Sequence, residues 1–166
     1  MCAIRTLIAV LSCRENVKLL GKTMTSETDK LAQSLEYGVG DASYKAAGEL
    51  AGLTQLVDSF YDFMDTLPEA RGIRAMHRPE LSESRQKLTY FLSGWLGGPR
   101  LYAEHFGSIN IPGAHRHLAV SETERDAWLL CMEKAIALQP YEHTFKQYLL
   151  KQLNVPAERI RMACMK

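Results

Sequence analysis

The feature that most constrains this chain is a helical spacing of apolar residues that recurs along most of its length. The clearest stripe has residues three or four positions apart, on one face of an amphipathic helix: Leu53, Leu56, Val57, Phe60, Met64 and Leu67. The stripe ends at Pro68, which lacks the backbone N–H that a helix interior needs. No segment alternates apolar and polar residues as a half-buried strand would. The sequence therefore predicts an all-α fold.

Three further helices are predicted by the same spacing, over residues 82–96, 121–139 and 141–153. Their ends are marked by Gly97-Gly98-Pro99, by Pro140 and by Asn154-Val155-Pro156. The segments 69–81 and 107–114 are predicted to be irregular connections. Four main helices with irregular joints favour an orthogonal or sandwich packing over a regular coiled bundle.

Length and charge limit the classes of function. At 166 residues the chain is long enough for one domain with its own core, and residues 24–43 are polar and typical of a linker or arm. The net charge of +1 and the lack of a basic stripe argue against nucleic-acid binding. No apolar run approaches the roughly 20 residues that span a membrane.

The cysteines and the first residues bear on the compartment. The four cysteines are scattered and form no Cys-x-x-Cys pair: Cys2, Cys13, Cys131 and Cys164. This arrangement argues against a disulfide framework and favours a reducing, cytoplasmic location. Residues 1–12 form a short apolar run with one basic residue, Arg5. An extension packed on the domain and an export signal are the alternatives for this run.

The segment 115–132 combines a histidine, a helix start and a tryptophan. Ser121 and Glu124 have the spacing of a capping box, so a helix begins at Ser121. His115 stands in the non-helical lead-in, and Trp128 lies early in the helix. An imidazole in that place can bind a metal held by neighbouring helices, and an indole N–H can donate a hydrogen bond to a ligand of that metal. The pattern suggests haem iron with a diatomic ligand.

Each of these residues also has an ordinary structural interpretation. Tyr61 and Trp128 have the spacing of core residues whose polar atoms are satisfied locally. His115 and His117 are a potential zinc pair, although two histidines two positions apart suit a strand, and no third ligand is nearby. A helical interaction domain without haem is the alternative for the whole chain.

Three blocks together resemble truncated haemoglobins of the second group. The blocks are Phe60-Tyr61-Asp62, Leu92-Ser93-Gly94-Trp95-Leu96-Gly97-Gly98-Pro99 and Glu124-Arg125-Asp126-Ala127-Trp128-Leu129. The resemblance implies a truncated two-on-two globin, a helical sandwich in which two helix pairs cross over a haem. It places this domain at residues 43–153, between a partly helical or flexible extension at 1–42 and a tail at 154–166.

The resemblance also implies roles for individual residues. It places the iron ligand at His115, which is 13 positions before Trp128, with His117 as the alternative if two residues are deleted. Tyr61 and Trp128 fall on the donors beside the diatomic ligand. His77 falls on a third pocket position, where it can donate a hydrogen bond or compete for the iron. Four more residues are implied to line the ligand side or to touch the porphyrin: Ser84, Leu88, Phe91 and Leu92.

The activity implied by the resemblance is chemistry of small ligands at haem b. These ligands are dioxygen, nitric oxide or peroxide, and the implied function is detoxification of nitric oxide, peroxide or reactive nitrogen, as a dioxygenase or peroxidase. A separate reductase is expected, because the sequence has no flavin or NAD domain. An oxygen carrier or sensor without turnover is the alternative.

One departure from the family concerns the haem propionates. Pro112 and Ala114 stand where relatives usually carry two arginines shortly before the ligand histidine. The basic residues that remain as candidates for binding the propionates are Arg100, Arg116 and Lys87.

Overall fold

The computed structural model describes residues 37–165, and all regular structure in this range is helical. Its α-helices are α1 Ala42–Ala46, α2 Glu49–Thr66, α3 Arg71–Ala75, α4 Ser82–Trp95, α5 Leu101–Phe106, α6 Ile111–His115, α7 Glu122–Leu138 and α8 His143–Cys164. The four longest helices, α2, α4, α7 and α8, correspond to the four predicted from apolar spacing. The all-α prediction is therefore confirmed.

The long helices form two packed pairs, α2 with α4 and α7 with α8, and α2 also packs against α7. The short helix α6 lies against α8, and α5 lies against α4. The largest side chains between the pairs are completely buried, and they include Leu53, Phe60, Met132, Phe145 and Leu149. Burying a side chain of this size stabilises the fold by roughly 1.5–3 kcal/mol, so these contacts dominate the packing.

The capping box predicted at the start of α7 is confirmed. The Ser121 hydroxyl accepts a hydrogen bond from the backbone N–H of Thr123 at 3.1 Å. The Glu124 carboxylate accepts from the backbone N–H of Ser121 at 2.9 Å. These bonds satisfy N–H groups that a helix start leaves without partners, and they fix where the chain enters α7.

At the predicted end of α4, two segments of the chain approach each other closely. Gly97 has a φ of 92°, and a Cβ built there would lie 1.8 Å from the carbonyl oxygen of Gly40. A Cβ on Gly98 would lie 2.5 Å from the ring of Tyr44, which belongs to α1. Both glycines are therefore needed, because the chain around α1 passes directly over the end of α4.

The expectation of an irregular connection over 107–114, with His115 in a non-helical lead-in, is wrong. Helix α6 begins within this segment and ends at His115. The side chain of its N-cap, Asn110, accepts a hydrogen bond from the Gly113 N–H at 3.1 Å. Pro112 lies in the first turn, where its fixed φ suits a helix and its missing N–H is not required. A single turn is too short for apolar spacing to reveal it.

The connection predicted over 69–81 also contains helical structure that the spacing did not indicate. A 3-10 turn covers Pro68–Ala70, and α3 follows directly. The Arg74 guanidinium pairs with the Asp65 carboxylate and donates to two carbonyls farther along the connection. These contacts hold the segment that carries His77 against the end of α2.

The predicted helix end at Asn154-Val155-Pro156 is wrong, because α8 continues through the proline to Cys164. A proline inside a helix removes one backbone hydrogen bond and costs roughly 3 kcal/mol. Burial of Ala157 and Cys164, each 8% exposed, offsets this cost. Ion pairs of Glu158 with α7 and within α8 act in the same direction.

The division into an extension at 1–42, a domain at 43–153 and a tail at 154–166 stays a prediction. The expectations for residues 1–36, including Cys2, Cys13 and the export alternative, lie outside the described residues. Within residues 37–165, no helix combines the length and the apolar character that crossing a membrane requires.

Candidate functional site

The predicted iron ligand, His115, is the last residue of α6 and is half-buried. Its ring Nδ1 donates a hydrogen bond to the carbonyl oxygen of Ile111, one turn earlier, at 2.7 Å. A carbonyl oxygen can only accept, so the proton is on Nδ1 and the lone pair is on Nε2. This tautomer leaves Nε2 available to a metal, with the ring orientation set by the backbone of α6.

Three predicted site residues, Tyr61, His77 and Trp128, lie in one aromatic array. Phe60 forms its centre, with its ring centroid 4.9 Å from that of Tyr61 and 5.2 Å from that of Trp128. The Tyr61 ring also meets the His77 ring edge-to-face at 5.7 Å. The helices α2 and α7 and the connection after α3 thus bring together a phenol, an indole and an imidazole that are far apart in sequence.

The Tyr61 phenol is only 5% exposed. Burial raises its pKa to about 12, while a hydrogen bond involving the Ser84 side chain and the charge of Arg85 act in the opposite direction. The phenol therefore stays protonated across the physiological pH range. It remains available as an O–H donor inside the fold, and Ser84, another predicted site residue, is its neighbour.

Arg85 connects the two helices that carry Tyr61 and Ser84. Its guanidinium lies 5.4 Å from the centroid of the Tyr61 ring. It donates to the carbonyl oxygen of Asp58 at 2.8 Å and to the carboxylate of Asp62 at 2.7 Å. The two aspartates stand on either side of Tyr61 in α2, so one arginine of α4 bridges across the tyrosine.

His77 is half-buried, and its Nδ1 donates to the carbonyl oxygen of Ile73 at 2.8 Å. Burial lowers the pKa of His77, the hydrogen bond to Ile73 opposes this shift, and the charges of Arg74 and His115 lower the pKa further. His77 and His115 are held in the same way, each by the backbone carbonyl four residues earlier. Each has its Nδ1 occupied by a backbone carbonyl, so each has Nε2 free to face a ligand.

Apolar side chains of α4 complete the surroundings of these polar groups. Leu88 and Phe91 are half-buried and pack against the core, and the Phe91 ring stacks with that of Trp95 at 6.4 Å. Leu92 is 1% exposed and lies in the core itself. Leu88 and Phe91 therefore retain apolar surface that a flat hydrophobic group can cover, whereas the Leu92 side chain is already covered by the core.

The remaining residues of interest are the alternative iron ligand, His117, and the three candidates for binding the propionates. His117 is exposed, as are Arg100 and Arg116. Lys87 pairs with Glu83 and has its ammonium 5.2 Å from the centroid of the Phe106 ring. Among residues 37–165, no three His, Cys, Asp or Glu side chains form a metal-binding group.

Two contacts of this region were not predicted from the sequence. Arg85 escaped notice because its partners, Asp58 and Asp62, lie on a different helix, and no spacing rule links charges across helices. The second contact is between Cys164 and His115, at the end of α8. It was missed because the last helix was expected to end before Pro156. Cys164 comes near His115 because α8 continues beyond Pro156 to Cys164.

The donor atoms of this region fit a haem. A neutral imidazole whose Nδ1–H is bonded to a backbone carbonyl is a usual axial ligand of haem iron, and His115 has this form. Tyr61 and Trp128 supply O–H and N–H donors, which suit a polar diatomic ligand. Leu88 and Phe91 supply the apolar contact that a porphyrin requires.

Comparisons with known proteins agree with this interpretation. The model of the bacterial-like globin family matches residues 42–161. The group 2 truncated hemoglobin YjbI of Bacillus subtilis (strain 168) is 32% identical over 120 residues, which are 72% of this chain and 88% of that protein.

Solved structures give the same result. The group II 2-on-2 hemoglobin of the plant pathogen Agrobacterium tumefaciens is 34% identical, with a TM-score of 0.69, over 72% of this chain and 92% of that one. The cold-adapted truncated hemoglobin of the Antarctic marine bacterium Pseudoalteromonas haloplanktis TAC125 is 30% identical, also with a TM-score of 0.69, over 71% of this chain and 95% of that one. The chain belongs to the bacterial-like globin family and, within it, to the truncated haemoglobins of the second group.

Proposed function

We propose that this chain binds haem b through His115 and uses Tyr61, Trp128 and His77 to control dioxygen, nitric oxide or peroxide at the iron. Membership of the globin family makes haem-based oxygen binding the class of function. The finer proposal is detoxification: reaction of dioxygen with nitric oxide, or removal of peroxide or reactive nitrogen. A cytoplasmic location and a separate reductase belong to the same proposal.

The observation that carries the proposal is the combination of the Tyr61, His77 and Trp128 array with the tautomer of His115. Its Nδ1–H is held by the Ile111 carbonyl, which leaves Nε2 for the iron. The His77 ring meets the Tyr61 ring edge-to-face, with their centroids 5.7 Å apart. We assign the His115 imidazole and the Tyr61 O–H donor to opposite sides of one haem-binding region, as the resemblance to second-group truncated haemoglobins implies. We name the α6 side of this region the proximal side, and the Tyr61, His77 and Trp128 side the distal side.

Haem, when bound, supplies a redox-active iron at which dioxygen and nitric oxide can meet. The protein supplies the rest. The Tyr61 O–H, protonated because its pKa is about 12, donates to the polar diatomic ligand. The Trp128 ring packs against Phe60, as the Tyr61 ring does, and its N–H is the second proposed donor. The burial of Tyr61 limits water near this donor, and a hydrogen bond is stronger where water is excluded.

Crowded donors favour slow release of dioxygen, and slow release suits reaction more than transport. The structure of a relative, a truncated oxygen-avid haemoglobin from Bacillus subtilis, is 30% identical with a TM-score of 0.65. Because this chain has the donors Tyr61 and Trp128, we propose that it also binds dioxygen tightly.

The test is an absorbance and turnover measurement on the full-length protein. After addition of hemin, we expect a Soret band, and after reduction in air, a stable oxygenated spectrum. With a chemical reductant present, nitric oxide added repeatedly is expected to be consumed over many cycles, and peroxide is assayed in parallel. Consumption limited to one equivalent for each haem would identify a carrier or sensor instead. A protein without a Soret band after hemin addition would overturn the proposal.

A further inference from the structure

The C-terminal end of α8 contacts the segment that carries His115. The Cys164 thiol donates a hydrogen bond to the carbonyl oxygen of His115, with a sulfur–oxygen distance of 3.0 Å. The same carbonyl accepts from the Leu118 N–H at 2.9 Å. His115 is the last residue of α6, where a helix leaves its carbonyls without internal partners. Two donors, one local and one 49 residues away, satisfy this oxygen.

Burial of Cys164 and ion pairs earlier in α8 hold the thiol in place. Cys164 is 8% exposed. One turn earlier, Arg161 donates to the Glu158 carboxylate at 2.6 Å, and Arg125 of α7 donates to the same carboxylate at 2.7 Å. The last two turns of α8 are therefore fastened to the first turns of α7. They carry Cys164 to a fixed place beside α6.

The helix that carries His115 has few other supports. It is a single turn of five residues, capped by Asn110 and packed against α8. The backbone of α6 sets the imidazole orientation through Ile111, so a displacement of α6 moves the ring. The family model matches residues 42–161 and ends before Cys164. The thiol contact thus lies outside the part of the chain that defines the family.

We infer that the end of α8 positions the iron ligand, with the Cys164 thiol holding the carbonyl of His115 and so the orientation of α6. The inference rests on the proposed function, in which His115 binds the iron. Cys164 is a positioning residue in this scheme, because it acts through the backbone of His115 and touches neither the haem nor its ligand.

The test compares three variants of the full-length protein. Cys164→Ala removes the donor, and Cys164→Ser keeps a donor of similar size. Met162→Ala is the matched control, since Met162 is 61% exposed on the same turn. Without haem, hydrogen exchange at the amides of α6 is measured by mass spectrometry. With ferrous haem, the iron–histidine stretching band is recorded by resonance Raman, together with the rate of haem transfer to apomyoglobin.

We expect Cys164→Ala to exchange amides of α6 faster and to lose haem about two- to five-fold faster, as loss of one modest hydrogen bond implies. Its iron–histidine band is expected to shift or broaden. Cys164→Ser and Met162→Ala are expected to match the unmodified protein. If Cys164→Ser fails to restore the band, or if exchange rises along α8 and not in α6, the thiol fills space only and the inference is overturned.

His115→Ala separates this inference from the proposed function. If that variant keeps the iron–histidine band, His115 is not the ligand, and both ideas fall. If it loses the band while Cys164→Ala behaves like the unmodified protein in every measurement, only the positioning role falls. Circular dichroism of each variant confirms that the total helix content is unchanged.

Discussion

The distal and proximal sides of the proposed haem site are built in different ways. The distal side rests on α2 and α7, which are long helices, and Tyr61 of α2 is almost fully buried. The proximal side rests on α6, a single turn whose ligand candidate is half-buried. Packing of α2 against both α4 and α7 holds the donors Tyr61 and Trp128. The proximal histidine belongs to α6, which packs against α8, the last helix of the described residues.

This difference suggests that the two sides respond differently to change. A long helix with buried neighbours resists displacement, because any movement exposes apolar surface or opens a cavity. A single turn has too few internal hydrogen bonds to keep its place alone. We therefore expect distal substitutions to alter the chemistry of the bound ligand, and proximal substitutions to alter retention of the haem.

The largest effect is expected on the proximal side, from His115→Ala. Haem affinity should fall by more than about 100-fold, because even residues that only orient a metal ligand typically contribute 10- to 100-fold. The measurement is the rate of haem transfer to apomyoglobin. The matched control is His117→Ala, which removes an exposed imidazole two positions away and should leave the rate unchanged. Loss of haem in the control alone would move the ligand to His117.

Tyr61→Phe is the distal counterpart. It removes one O–H donor and keeps the ring that packs on Phe60 and His77. Dioxygen should dissociate about ten-fold faster, which corresponds to one hydrogen bond of about 1.4 kcal/mol, while the rate of haem loss should barely change. Stopped-flow replacement of dioxygen by carbon monoxide gives the off-rate. An unchanged off-rate would assign the donor role to Trp128 or His77.

Arg85→Met tests whether the distal donor Tyr61 depends on the charge of Arg85 as well as on its own burial. Methionine keeps an apolar stem but loses the contacts to Asp58 and Asp62 that bridge across Tyr61. We expect the dioxygen off-rate to rise about two- to three-fold, because partly exposed ion pairs contribute at most about 1 kcal/mol. Arg78→Met is the control, since Arg78 is exposed and its pair with Glu83 is long, at 3.7 Å. An effect as large as that of Tyr61→Phe would mean that the arginine itself orients the phenol.

The long helices could be predicted because their signals are local. The apolar stripe from Leu53 to Leu67, its stop at Pro68 and the capping box at Ser121 all act within one or two turns. The helices α3 and α6 could not be predicted in this way, because a single turn shows no periodicity. Pro156 indicated a break, but burial and ion pairs at the end of α8 outweigh its cost.

The candidate site was harder to predict from the sequence than the fold was. Tyr61, His77 and Trp128 were selected through the resemblance to a family, and the structure places them in one array. The bridge made by Arg85 and the contact of Cys164 join residues on different helices. Such pairs depend on how helices pack, which no local pattern encodes. They exist only in the packed arrangement of the whole domain.

The smallest expected effect concerns the partly buried ion pairs of Glu158, behind the proximal side. Hydrogen bonds from Arg161 and Arg125 lower the pKa of Glu158 to about 2, from an ordinary value near 4.5. The folded state therefore favours the charged carboxylate. The stabilisation is fully present above pH 4.5 and is lost as the pH falls toward 2.

Glu158→Gln tests this stabilisation, because the amide has a similar shape without the charge. Thermal unfolding of the haem-free protein is compared with that of the variant from pH 7 to pH 2, so that acid release of haem does not contribute. The variant should unfold at a lower temperature at pH 7, and the gap should close below pH 4.5. Added salt should narrow the gap at pH 7, since the carboxylate is partly exposed. Glu133→Gln, an exposed carboxylate on α7, is the control and should show no such closing gap. A gap that persists to pH 2 would mean that Glu158 holds α8 by packing, and the proximal side would then depend on shape alone.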